Sequence, residues 1–228
     1  MSNADILFKE NCIEIMERGF STENDKVRPV WEDGTLAYTM KSFGIVNRYN
    51  LQEEFPMLTQ RFINYRAAID EILGIWQKKL NRISVLTRRM WDSWSGEDEH
   101  IKAYGYQLDG LYPCTYTMTF NVSGDTLNAI LNQLSQDMLM ANGWNVCQYA
   151  VLVHLLAQAS GLKAGTFIHM IADAYICDRH IPIVKELIER PMYAAPKLMI
   201  NPKIKNFYNF TLDDIQLEDY QCGEMMRL

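Results

Sequence analysis

The stretch Val146–Ser160 is apolar on most sides and stops at Gly161. A helix that is hydrophobic all round has no face to offer water, so it must lie between other layers of structure. A glycine just past its end supplies the backbone freedom that a helix stop uses. Its most apolar part, Tyr149–Ala159, is interrupted by His154 and Gln158, and is too short and too polar to span a bilayer. A fold that wraps such a helix needs a large core, and 228 residues suffice, because a chain of this size buries roughly 70–75% of its unfolded surface. The composition, 48% hydrophobic and 22% charged, is that of an ordinary globular domain and excludes a disordered or collagen-like chain.

The remaining periodicities place elements around this helix. Ile6–Gly19 carries Ile6, Leu7, Ile13, Ile15 and Met16 at helical spacing and ends on a glycine, which predicts an N-terminal helix. Ser21–Gly34 is polar, with Pro29 and an Asp33-Gly34 turn signal. Thr35–Tyr49 holds short β-type runs. After a break at Phe55-Pro56-Met57-Leu58, Phe62–Lys79 is amphipathic, with Phe62, Tyr65, Ile69, Ile72, Leu73, Ile75 and Trp76 on one side. Arg82–Arg89 reads as a second short helix and Trp91–His100 as a Trp- and Asp-rich loop. Tyr116–Val122 alternates and reads as a strand, while Thr126–Gln133 shows no period. Strands are expected at Phe167–Ile171, Lys197–Ile200 and Ile215–Tyr220, a helix at Ile181–Glu189, and a cap at Thr211. There is no repeat and no linker, so the expectation is one α+β domain over residues 1–228.

Charge and cysteines narrow the function. The net charge is −6, which disfavours a sequence-independent nucleic-acid binder, since phosphate neutralisation needs a basic face. The five cysteines, Cys12, Cys114, Cys147, Cys177 and Cys222, are odd in number and no two are spaced as CxxC. Neither a disulfide scaffold nor a metal site is expected from that spacing, and a reducing cytoplasm fits. Met1–Glu10 lacks the apolar stretch of a signal peptide.

Collinear motifs then point to a family. Trp91-Asp92-Ser93-Trp94, Ala103-Tyr104-Gly105-Tyr106-Gln107 and Pro113-Cys114 are followed by Ser135-Gln136-Asp137 and Asn145. After them come Gly161-Leu162-Lys163, Phe167-Ile168-His169, Asp173 before His180, Pro196-Lys197-Leu198 and the run Phe207–Tyr220. In this order, over nearly the whole chain, they resemble thymidylate synthase of the folate-dependent, cysteine-nucleophile type. The resemblance implies a twisted mixed β-sheet packed with helices. It implies a homodimer, and transfer of a one-carbon unit from 5,10-methylene-tetrahydrofolate to C5 of a uracil nucleotide such as dUMP.

That chemistry explains the residue types. C5 is a poor nucleophile, so a thiolate first adds to C6 and leaves an enolate that attacks the folate's carbon. This needs an activated thiol and a stabilised oxyanion. By resemblance, Cys114 is the nucleophile, and Glu71 and Tyr104 organise proton transfer. Asn145 reads the uracil edge, where its amide offers a donor and an acceptor; as a residue alone, Asn145 also reads as a helix N-cap before Val146. Asp137, Trp91 and Trp94 correspond to the folate site. Arg28, Gln133, Ser135, Asp173 and Tyr175 fall at substrate-binding positions.

The chain also departs from the family. The family grips the 5′-phosphate with four arginines, two of them an adjacent pair supplied by the partner subunit. Here only Gln107–Pro113 separates Tyr106 from Cys114, so several tens of residues are missing. The arginine pair is lost with them, and a strand and a helix of the family fold are expected to be lost too. Leu134 stands where a third arginine precedes Ser135, and Arg28 alone remains; Tyr175 and Cys177 replace the histidine and tyrosine that hold the ribose. Arg61 corresponds to the cation after the family's Phe-Pro-Leu-Thr stretch. Three charge-assisted contacts of ~1.5–3 kcal/mol each would together remove ~5–9 kcal/mol if independent. The sequence therefore leaves three readings open. One is a C5 methyl- or hydroxymethyltransferase with an altered nucleotide or nucleoside substrate. Another is an inactive homologue serving as a binding or scaffold protein. The third is a thymidylate synthase whose phosphate contacts are rebuilt from Arg28, Arg61 and Arg88 or Arg89.

Overall fold

A computed structural model describes residues 1–78 and 114–225. The expected helix Arg82–Arg89, the loop Trp91–His100 and the interval Gln107–Pro113 lie outside the described residues, as do Trp91, Trp94 and Tyr104.

Helix α1 (Asn3–Arg18) starts at Ser2, whose hydroxyl accepts from the Ala4 N–H, and buries Phe8, Cys12 and Ile15 on one stripe. It packs on β2. At Gly19 the chain turns so tightly into the sheet that a Cβ would collide with the carbonyl oxygens of Ile15 and Lys41. Ile6, expected on the apolar stripe, lies on the exposed side of α1.

The main sheet holds β1 (Phe20–Ser21), β2 (Thr39–Asn50), β3 (Thr115–Ser123), β4 (Thr126–Asp137) and β5 (Lys163–Cys177) in the order β1-β2-β5-β4-β3. The β4–β5 pair is parallel and the others are antiparallel, so the sheet is mixed. Helix α3 (Asn142–Ala159) makes the crossover that a parallel pair requires. As its composition predicts, α3 is buried along most of its length, between the sheet and α2 (Tyr65–Lys78). Phe62 belongs to the segment before α2 and is partly exposed. Helix α4 (Ile181–Leu187) and a two-stranded ribbon of β6 (Lys197–Ile200) and β7 (Ile215–Glu218) complete the described elements. Thr211 and Asp214 form the expected reciprocal cap. No helix among the described residues is long and apolar enough to cross a membrane.

Two strands differ instructively from their sequence reading. The unassigned Thr126–Gln133 is the first part of β4, and β5 runs well past Ile171. In both, burial changes parity part-way. Leu127, Ala129, Leu131 and Gln133 are buried with Phe167, His169 and Ile171, whereas beyond them Gln136, Ala174 and Ile176 are the buried ones. The face that carries the core at one end therefore carries Ser135, Asp137, Asp173 and Tyr175, only partly covered, at the other. Within Thr126–Gln133 burial itself alternates, but apolar Ile130 lies on the more open face and polar Gln133 on the buried one, so the residue types do not follow a period of two and alternation failed to reveal the strand.

One buried carboxylate ties α1 to the segment leading into α2. Asp5 accepts from the Thr59 N–H (2.7 Å), the Thr59 hydroxyl (2.5 Å) and the Gln60 N–H (3.3 Å). Asp5→Ala leaves those donors unsatisfied and is expected to cost about 2–4 kcal/mol. The check is the shift in urea midpoint at unchanged slope.

Candidate active site

The site forms where β3 begins beside the far half of β4. Cys114 directly precedes β3 and is half-buried. Its carbonyl accepts the Leu134 N–H (2.6 Å), which clamps it to β4, and the Ser135 hydroxyl donates to its Sγ (3.6 Å).

From Ser135 a chain of buried amides runs into the helices. Gln133 Nε2 donates to the Ser135 carbonyl (2.8 Å) and to Asn145 Oδ1 (3.3 Å). Its Oε1 faces His169 Nε2 at 2.7 Å. Burial pushes the His169 imidazole down to about 3, so the ring is neutral and this nitrogen is the one that carries the proton. Asn145 lies in the first turn of α3, and Ala141, not Asn145, is the N-cap residue. The capping role open to Asn145 from sequence is therefore not the one it has. Its Nδ2 donates to Gln148 Oε1 (3.2 Å), and Gln148 Nε2 donates to the Ala68 carbonyl of α2 (3.3 Å).

Glu71 closes this chain. It is buried on α2, accepts from Trp144 Nε1 (2.8 Å) and is hydrogen-bonded by the Gln148 side chain. Desolvation raises its carboxyl to about 7, and these two hydrogen bonds oppose the rise without cancelling it. A carboxyl poised near neutrality both gives and takes protons at physiological pH.

Asp137 ends β4 opposite Tyr175, with the Met140 N–H on its Oδ1 (2.9 Å). Burial raises its carboxyl, and nearby His180 and Arg61 oppose that. The Arg61 guanidinium is buried and donates to the Leu139 carbonyl, which fixes it behind the Asp137 loop. Ser135 pairs with Asp173, whose carboxylate lies 3.8 Å from Lys41 Nζ. Arg28 is exposed in the N-terminal loop, and no ion pair or hydrogen bond among the described residues holds it. The structure thus gathers Cys114, Ser135, Gln133, Asn145 and Glu71 into one connected group, with Asp137, Asp173 and Tyr175 along the same sheet face.

Sequence reasoning did not single out Trp144 or Gln148, and named His169 only within a family motif, without a role. The legible signals were Gln148, one of a few polar residues on the mostly apolar α3, and His169 two positions along from Phe167 on the same strand face.

The family model of thymidylate synthase matches residues 7–110 and 108–228. The chain belongs to the thymidylate synthase family. It is 35% identical to the thymidylate synthase of Bacillus licheniformis over 274 aligned positions, covering 99% of this chain and 98% of that protein. It is 36% identical to the one from Clostridium beijerinckii over 255 positions, covering 94% of each. The fold superposes on the thermostable thymidylate synthase A from Bacillus subtilis with a TM-score of 0.91 at 30% identity, over 98% of each chain. The two matched stretches meet between Tyr106 and Cys114, and 274 aligned positions exceed the chain's 228 residues. Residues of the relatives without a counterpart here therefore fall at the interval that the motif spacing marks as shortened. Leu134, next to Cys114 in the ladder, is 49% exposed.

The raised Glu71 carboxyl has a consequence for stability. The folded state holds the proton more tightly than the unfolded chain. The contribution is therefore complete below the unfolded value of 4.5 and is lost as pH rises through about 7. Glu71→Gln removes that loss. The difference in urea-unfolding free energy between wild type and variant is expected to change by up to about 3 kcal/mol between pH 4 and pH 8, and a difference that stays constant with pH contradicts the assignment.

Proposed function

We propose that this chain transfers a one-carbon unit from 5,10-methylene-tetrahydrofolate to C5 of a uracil nucleotide or nucleoside. Cys114 acts as nucleophile, Asn145 as base reader, and Glu71 and Tyr104 as the proton-transfer pair. The observation that carries this reading is Asn145, held from both ends by Gln133 and Gln148 in the group that contains Cys114. With one lone pair of its Oδ1 and one hydrogen of its Nδ2 engaged, Asn145 retains one acceptor and one donor. These match N3–H and O4 of a uracil ring whose C6 faces the thiolate.

The steps follow from the side chains. The Ser135 hydroxyl steadies the Cys114 thiolate, which adds to C6 and pushes electron density onto C5 and O4. Asn145 Nδ2 stabilises the developing oxyanion. The protonated Glu71 carboxyl supplies the proton reservoir on that side of the ring. The folate supplies the electrophilic carbon. Asp137, a partly exposed carboxylate at the end of β4, fits the N–H donors of a pterin ring, and Trp91 and Trp94 are the further residues assigned to the folate. Arg28, Gln133, Ser135, Asp173 and Tyr175 complete the substrate side. Leu134 offers no charge to a phosphate, which favours a ligand whose phosphate is gripped by other residues or is lacking.

A homodimer fits the same reading. On the sheet face turned away from α3, Val46, Leu134 and Met170 are exposed, with Ile130 and Ile168 partly so. Apolar side chains gathered on one sheet face favour covering by a second sheet. All five cysteines are unpaired in the fold, which supports a cytoplasmic setting.

Intact-mass spectrometry with 5-fluoro-2′-deoxyuridylate or 5-fluoro-2′-deoxyuridine, each with methylene-tetrahydrofolate, tests the activity. A ternary adduct is expected in wild type and none in Cys114→Ser; absence of any adduct with either ligand sinks the catalytic reading. Met170→Asp is expected to shift the sedimentation mass from dimer to monomer, and an unchanged mass argues against this face.

A further inference from the structure

Cys177, Asp178, Arg179 and His180 read as Cys-x-x-His across the end of β5 and a short 3-10 turn. The turn brings the imidazole back toward the strand end, beside the carboxylate of Asp137. One ligand atom from each of Asp137, Cys177 and His180 lies within 4.8 Å of the other two, and all three residues are half-buried. Nδ1 of His180 is buried and has no hydrogen-bond partner among the described residues, an unmet polar atom that native structures seldom leave. Among the described residues no hydrogen bond joins the three side chains to one another.

The turn is braced from outside. Trp31 Nε1 donates to Asp178 Oδ1 (3.1 Å), and the Trp31 ring meets the His180 ring edge-on at 5.3 Å. The Arg179 guanidinium lies 5.0 Å over Trp31 and donates to Asp33 Oδ2 (2.7 Å). Such support around a ligand imidazole fixes its orientation.

We propose that Asp137, Cys177 and His180 bind a first-row divalent cation, zinc by preference, with a fourth position left to water. Carboxylate, thiolate and imidazole are the ligands zinc accepts, at ~2.0–2.3 Å from the metal. Ligand atoms of a tetrahedral site at those lengths stand about 3.3–3.8 Å apart, so from separations within 4.8 Å side-chain rotation has to draw the trio in by no more than about 1.5 Å. A thiolate ligand selects against magnesium and calcium, which take oxygen. Spacing among cysteines alone hides this site, because its ligands are of three kinds and come from two strands and a turn. Asp137 is also the carboxylate that the proposed function gives to the folate, so ion and folate would compete for it. That consequence rests on the proposed function; the metal site itself does not.

The test uses the full chain, stripped with a chelator, with neither nucleotide nor folate present. Co²⁺ is titrated in, and Zn²⁺ is titrated separately against a chromophoric chelator. One equivalent of each metal is expected to bind, with a thiolate-to-cobalt charge-transfer band in the near ultraviolet. Cys177→Ser is expected to abolish the band, and Cys177→Ser and His180→Ala each to weaken zinc by about tenfold or more, with far-ultraviolet circular dichroism unchanged. Cys114→Ser is expected to keep band and affinity. No band in wild type, or a band that survives in Cys177→Ser, overturns the proposal. The adduct experiment and this one share no ligand, so either can fail while the other holds.

Discussion

The parallel pairing of β4 with β5 sets the level of everything at the site. It puts Ser135 beside Asp173 and Asp137 beside Tyr175, and brings Gln133 within reach of His169. Parallel neighbours need a crossover, and α3 is that crossover. The helix that must be buried for hydrophobic reasons is thus the one that delivers Asn145 to the site. Packing of α2 against α3 then delivers Glu71. A one-residue slip in the β4–β5 register would turn Ser135 and Asp137 to the opposite face.

Burying polar groups for this purpose is costly unless each finds a partner. The chain Ser135–Gln133–Asn145–Gln148 meets that condition with amide side chains, which donate and accept at once and so pass orientation from one to the next. His169 is kept neutral at one end of it. At the other end Glu71 has two donors and, among the described residues, no cation, so desolvation prevails and its carboxyl rises toward neutrality. Burial raises the Asp137 carboxyl as well, opposed by the Met140 N–H and by nearby His180 and Arg61.

The same sheet face changes character along its length. Near His169 it is core, and near Cys177 it opens to solvent. The open end holds the residues with chemistry to offer: Cys114, Ser135, Asp137, Tyr175 and the Cys177–His180 turn. Site and candidate metal position share this end for one reason. Side chains there are partly freed from packing while their backbones stay locked in the ladder.

Local sequence determined a good deal. Helix α1 ends at its glycine, β6 spans Lys197–Ile200, and the Thr211 cap forms, because each depends on neighbours a few residues away. The burial of α3 was legible too, since a helix apolar on most sides has one place to go. The family was legible because its motifs keep their order along the chain, and the short interval before Cys114 marked where relatives are longer. Only tertiary structure decided the rest. The amide chain joins residues from β4, α2, α3 and β5, and the Asp137–Cys177–His180 group spans two strands and a turn. The pKa of Glu71 depends on what covers it. The start of β4 was hidden because apolar Ile130 sits on its more open face and polar Gln133 on its buried one. Burial, register and convergence of distant residues are properties of packing, and no window along the chain contains them.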